Sequence, residues 1–236
     1  MSAVNKSLPA QQYMDHETII WIKQNNPFKS KVSIPTDLQK ASKEYAKKFT
    51  PPSQWFINDE RAKTIHGKRH LLRVGIYTFL LMKHLLIEED LDLCIIAGVL
   101  HDIRRETDGS DEGHAFKSAE WFISNVEEIT AQFQIKLSKF QIEKIYHAIL
   151  LHELRLELIE RKYLDKFEHI INIIKTADAL DRYIQPKLKW WLDDKFLVIK
   201  PSTHLKHFAF ELIVKSELNF LNNTDSELSI FDSIPL

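Results

Sequence analysis

Three observations on this 236-residue chain predict an all-α fold. Glycine and proline number only 5 and 8, few for a β-sandwich or a glycine-rich nucleotide fold. Apolar residues recur at helical spacing, as Ile65, Leu72, Ile76, Phe79 and Leu80 do. Alternating runs long enough for a sheet do not occur, whereas helix-capping strings do.

The elements follow in order. Asp15–Gln24 reads as a short helix, and Asn25-Asn26-Pro27 breaks it. Thr36-Asp37-Leu38-Gln39 has the form of a capping box and opens a helix to Phe49, before Pro51-Pro52. Asn58 to about Ile87 reads as one long helix, with Lys63, Arg69 and Lys83 placed to face water. Asp90 is positioned to cap a helix running to His101. His114–Asn125 is helical, and Ser138-Lys139-Phe140-Gln141 is a second capping box, opening a helix through Leu151. Asp165-Lys166-Phe167-Glu168 opens one through Arg182, and the last runs from Thr203 to about Leu221. Pro186 and Pro201 bracket a connection holding Trp190-Trp191, either an interface patch or extra core. The expected organisation is a domain at 59–185, with helical extensions at 1–58 and 186–236.

Composition narrows the function. A hydrophobic share of 44% and a charged share of 28% suit a soluble globular protein. Net charge is -1 without a long like-charged block, which disfavours nucleic acid as partner without excluding it. Met1–Ser7 lacks the apolar core of a signal peptide, and Lys83-His84 interrupt the longest apolar stretch. The lone Cys94 sits in an apolar run, as expected of a core residue in a reducing compartment. A cytoplasmic protein without a membrane span is therefore expected. Oligomeric state is unreadable.

The chemistry centres on His101-Asp102, at the end of the apolar run Leu91–Leu100. A carboxylate opposes the negative end of a helix and needs a compensating cation there. Neutral imidazole with ionised carboxylate is a ligand pair for a divalent metal. Asp178 continues the apolar stripe of Phe167, Ile170, Ile171, Ile174 and Ala177, so its carboxylate points where core belongs. A metal or a buried salt bridge, to Arg73 or Arg182, would stabilise it. Asp181 follows one turn later. His66 and His70 lie one turn apart, as ligands or as a solvated helix start. His114 follows a polar turn, and His147 and His152 diverge by about 140° on their helix.

Together, His70, His101-Asp102 and Asp178 resemble the ordered signature of the HD-domain metal-dependent phosphohydrolase superfamily. The local strings are His70-Leu71-Leu72-Arg73-Val74, Ala97-Gly98-Val99-Leu100-His101-Asp102-Ile103 and Thr176-Ala177-Asp178-Ala179-Leu180-Asp181. Some branches, among them bacterial dinucleoside tetraphosphate hydrolases, carry two further histidines, which His114 and His152 resemble. His152 is thereby preferred to His147.

The resemblance implies an HD-domain-like helical bundle with one or two divalent ions: Mn, Fe, Ni, Co, Zn or Mg. Its metal ligands would be His70, His101, Asp102, Asp178, His114 and His152. The implied activity is hydrolysis of a phosphoester or phosphoanhydride in a phosphorylated small molecule, a nucleotide or dinucleotide. An inactive nucleotide sensor or an HD-type nuclease are the alternatives. Asp102, Arg105 and His66 are the candidate catalytic residues, with Arg104 also placed to meet phosphoryl charge. Many members carry Lys or Gln where Arg105 stands. Arginine clamps phosphate but is a poor proton donor, which leaves that role to His66 or His114.

Overall fold

A computed structural model describes residues 14–29, 32–222 and 225–235, and every regular element among them is helical. The Met1–Ser7 string lies outside the described residues. Helix α1 (His16–Gln24) opens on Asp15, whose carboxylate accepts the Thr18 N–H at 2.8 Å. Helix α2 (Thr36–Lys48) lacks the expected capping box. Pro35 holds the cap position without a side-chain acceptor, and the Gln39 amide donates to the Ile34 carbonyl at 2.7 Å instead.

The long helix expected from Asn58 is two helices, α3 (Asp59–Lys63) and α4 (Lys68–His84). Asn58 caps the first, and the chain doubles back at Gly67. A Cβ there would stand 2.4 Å from the Arg61 carbonyl oxygen and 2.5 Å from that of Ala62, so only glycine permits the turn. The break places His66 ahead of α4 and not on a helix face shared with His70.

Helix α4 is buried on nearly every side and forms the hub. Helix α5 (Leu91–Leu100) crosses it where Gly75 and Gly98 meet Val99 and Thr78. Asp90 precedes α5 with φ +61° and makes no side-chain cap; its carboxylate pairs with Lys144. Next come α6 (His114–Ser124), α7 (Val126–Phe133), a helix beyond those the sequence predicts, and α8 (Lys139–Leu151). Here the Ser138–Gln141 capping box is present in both directions.

Helix α9 (Arg161–Leu180) begins four residues before the expected cap. Asp165 lies inside it and pairs with Arg161 at 2.7 Å. The helix tightens into a 3-10 turn at Asp181–Ile184, before the expected end at Arg182. Helix α10 (Thr203–Leu221) runs as expected, and α11 (Ser226–Phe231) follows it.

The main apolar cluster extends from Ile34 to Ile234, so both terminal regions share one core with the middle of the chain. A smaller cluster joins Ile19 and Ile22 of α1 to Tyr183, Trp191 and Phe210. Trp191 is thus core. Arg69, expected to face water, is buried against Glu217 of α10 at 2.8 Å. Cys94 is buried, and burial pushes its thiol pKa up. No described helix is long and apolar enough to cross a membrane.

Candidate metal centre

Five segments converge on one point. His70 lies on α4 just after the Gly67 turn, and His101-Asp102 follow α5. Asp178 is on the last turn of α9. His114 opens α6 after Gly113, whose φ of +80° is left-handed, and His152 ends α8.

Each histidine is gripped through Nδ1. His101 donates to the Gly98 carbonyl at 2.7 Å, His114 to Asp111 at 2.8 Å and His152 to Ile149 at 2.7 Å. His70 donates to the Asp181 carboxylate at 2.8 Å. A neutral imidazole that donates from Nδ1 presents a lone pair at Nε2. The four lone pairs face one another: Nε2 atoms lie 3.1 Å apart for His70 and His101, and 3.3 Å for His114 and His152. Acceptors at such distances repel unless a cation or a proton stands between them.

Asp102 lies between the two pairs. Its Oδ2 is 3.9 Å from His70 Nε2, and its Oδ1 is 3.1 Å from His114 Nε2 and 3.6 Å from His152 Nε2. Oδ1 is buried and receives no hydrogen bond in good geometry. Two triads result, His70/His101/Asp102 and Asp102/His114/His152, each with its donor atoms within 4.8 Å of one another. Asp178 Oδ1 adds a fourth donor to the first, 3.6 Å from both His70 and His101. Metal–ligand bonds of about 2.0–2.2 Å set neighbouring donors roughly 3 Å or a little more apart, so little contraction is required. The orphaned oxygen and the converging lone pairs fit divalent metal at this place.

Protons stand in when metal is absent. Burial opposes charge on His114, but Asp102 outweighs it and lifts the pKa to about 9. Burial likewise works against a charged Asp102, yet His101 and Arg105 hold its pKa well below the usual carboxylate range. Desolvation also disfavours a charged Asp178, and the His101 and His70 rings prevail. His152 goes the other way, its pKa lowered by burial.

Around this centre lies a supporting network that tertiary contacts assemble from distant parts of the chain. The buried salt bridge weighed for Asp178 is made one turn later, by Asp181. Asp181 takes Arg73 Nε at 2.6 Å and Nη2 at 2.8 Å, and Arg73 Nη1 reaches Glu217 at 2.5 Å. Lys175 donates to the His152 carbonyl at 2.7 Å and to that of Leu154, tying down the end of α8. Glu153 lies 3.3 Å from His114 Nδ1. No local string flags Lys175, Glu153 or Glu217.

The remaining candidates separate. Arg105 lines the cleft, 3.1 Å from Asp102 Oδ2, and is braced by the Thr107 and Gly109 carbonyls. Arg104, expected beside it, runs instead to the Trp55 carbonyl at 3.0 Å. His66 lines the cleft, its Nδ1 3.1 Å from Asp108, and burial lowers its pKa below 6.5. His147 lies elsewhere, stacked on Phe167 at 4.6 Å. Above the centre opens a cleft of about 1250 Å³, walled by residues that include Arg155, Leu156, Arg182, Trp190 and Phe196.

Residues 68–183 match the family model of the HD domain. This segment is an HD domain, a family of all-α fold. No curated protein and no solved structure matches the chain.

Proposed function

We propose that this protein is a metal-dependent phosphohydrolase acting on a phosphoester or phosphoanhydride bond in a nucleotide or dinucleotide. His70, His101, Asp102 and Asp178 would hold one divalent ion, and Asp102, His114 and His152 a second. The observation that carries this reading is Asp102, a shared carboxylate with an orphaned oxygen at the floor of a large cleft. When bound, the ions lower the pKa of water and polarise a phosphoryl oxygen.

The chain's own residues supply the rest. Arg105 and Arg182 line the cleft, and their guanidinium groups can take the developing phosphoryl charge as hydrogen-bond donors. Asp108 fixes one nitrogen of His66 and leaves the other for proton exchange. Its lowered pKa leaves His66 neutral at pH 7, suited to accepting a proton and not to arriving with one. A reducing, cytoplasmic setting belongs to the same reading, supported by the single buried Cys94.

The test is a hydrolysis screen over nucleotides and dinucleotides with Mn, Co, Ni, Mg and Zn, reading inorganic phosphate and, by chromatography, the nucleotide products. Wild-type protein is expected to form hydrolysis products only with metal. Asp102→Ala should lose bound metal and more than about 100-fold in activity, beyond the effect of losing an outer contact. Full metal-free activity in that variant would defeat the proposal. Nucleotide binding without any product would point to a sensor.

A further inference from the structure

We propose that residues 185–198 form an aromatic subsite for the planar base of a nucleotide, with Phe196 and Trp190 as its stacking surfaces. The inference deepens the phosphohydrolase reading, which supplies the place of the phosphate.

This segment begins past residue 183, where the HD-domain match ends, and it forms one wall of the cleft. The cleft is larger than a phosphate needs. Its volume of about 1250 Å³ is that of a site for a whole organic ligand. The wall carries large apolar groups left in water: Phe196 is 73% exposed and Val198 55%. Scattered exposed apolar residues need no explanation, but neighbours facing a charged cleft do. The chain has an apolar interior within reach, since Trp191 packs into it against Tyr183 and Phe210. Trp190, one residue earlier, lines the cleft instead.

Charge is arranged to suit the same ligand. Lys187 Nζ lies 4.0 Å from the Trp190 ring centre, and Lys195 Nζ lies 4.7 Å from that of Phe196. Lys189, Lys195 and Arg182 line the cleft beside these rings. Leu154 and Leu156 also line it. The cleft thus has a metal-ligating end and an aromatic end with cations along the way. That polarity matches an anionic phosphate joined to a flat, weakly polar base.

The experiment is calorimetric titration of Mn-loaded protein with adenosine and uridine monophosphates and with ribose 5-phosphate, which lacks the base. Wild-type protein should bind at least one nucleoside monophosphate about tenfold or more tighter than ribose 5-phosphate, the contribution of one stacked base. In Phe196→Ala/Trp190→Ala that preference should shrink to about threefold or less, with Mn content and ribose 5-phosphate affinity unchanged. Phe196→Tyr should keep it. Equal or absent affinity for the three ligands in wild-type protein, or a preference that survives both alanines, overturns the subsite. An intact preference with no hydrolysis product from any nucleotide or dinucleotide of the screen defeats the hydrolase reading and leaves the subsite standing.

Discussion

His114 shows how one residue couples protons to metal. Its pKa of about 9 in the metal-free protein comes from Asp102 outweighing burial. To become a ligand it must give up that proton. A raised pKa means the proton is held at pH 7 and lost as pH rises through about 9. Metal uptake at pH 7 should therefore release about one proton from His114, and affinity there should climb about tenfold per pH unit before levelling near pH 9. Titration in two buffers of different ionisation enthalpy measures the release; none at pH 7 would contradict the assignment of His114 as a ligand. The same electrostatic cost made the centre legible in the sequence. Asp102 at a helix C-terminus and Asp178 on an apolar stripe stand out because a carboxylate is unfavourable in either place. Asp181 announces itself no differently, yet it serves as a brace: Arg73 and His70 occupy it, and only the tertiary fold brings them there.

Among the elements, the Gly67 turn and the Ser138 cap make a contrast that can be measured. Both begin helices that bear site histidines. Ser138 contributes one hydrogen bond at the far end of α8 from His152, so Ser138→Ala should cost about 1 kcal/mol and leave metal affinity unchanged. Gly67 sets the angle at which α4 leaves α3. An added Cβ at 2.4 Å from a carbonyl oxygen forces the turn open, and His66 and His70 move with it. Gly67→Ala should cost about 1–3 kcal/mol and also weaken metal binding, checked by thermal denaturation and metal titration on the same samples. An unchanged metal affinity would mean that the turn does not position His70. Periodicity alone hid this turn, because the apolar spacing continues through it from Ile65 to Leu72. Capping strings were only as good as their surroundings. The Ser138 box formed, whereas Thr36 became the first helical residue behind Pro35, and Asp165 fell inside a helix that started earlier.

At the scale of the whole molecule, α10 reaches the metal centre from outside the matched 68–183 segment. Glu217 takes Arg69 and Arg73, Arg73 takes Asp181, and Asp181 takes His70, all of them buried. The residues joined lie 144 and 148 positions apart, so no local string reveals them, and the 186–236 region carries no sequence signal of this link. Breaking one partner of such a chain leaves buried charge unpaired, which costs about 3–5 kcal/mol. Glu217→Gln keeps the shape and removes the charge, so it should lower stability by about that amount and loosen His70, weakening metal binding. The pH dependence gives an independent check. Burial would raise the Asp181 pKa, but Arg73 holds it down to about 2, and Arg69 and Arg73 depress that of Glu217. Depressed carboxylates stabilise the fold above their unfolded values of about 4, and the benefit is lost as pH falls towards 2. Melting temperatures of chelator-treated protein should therefore sag below about pH 6.5, where the buried His66 and His152 resist the protons that the unfolded chain takes up, and drop steeply below about 4. Glu217→Gln should start from a lower stability at pH 7 and fall less steeply below about 4, having lost one of the depressed carboxylates. A variant as stable as wild type at pH 7, with unchanged metal affinity, would show that α10 covers the centre without supporting it.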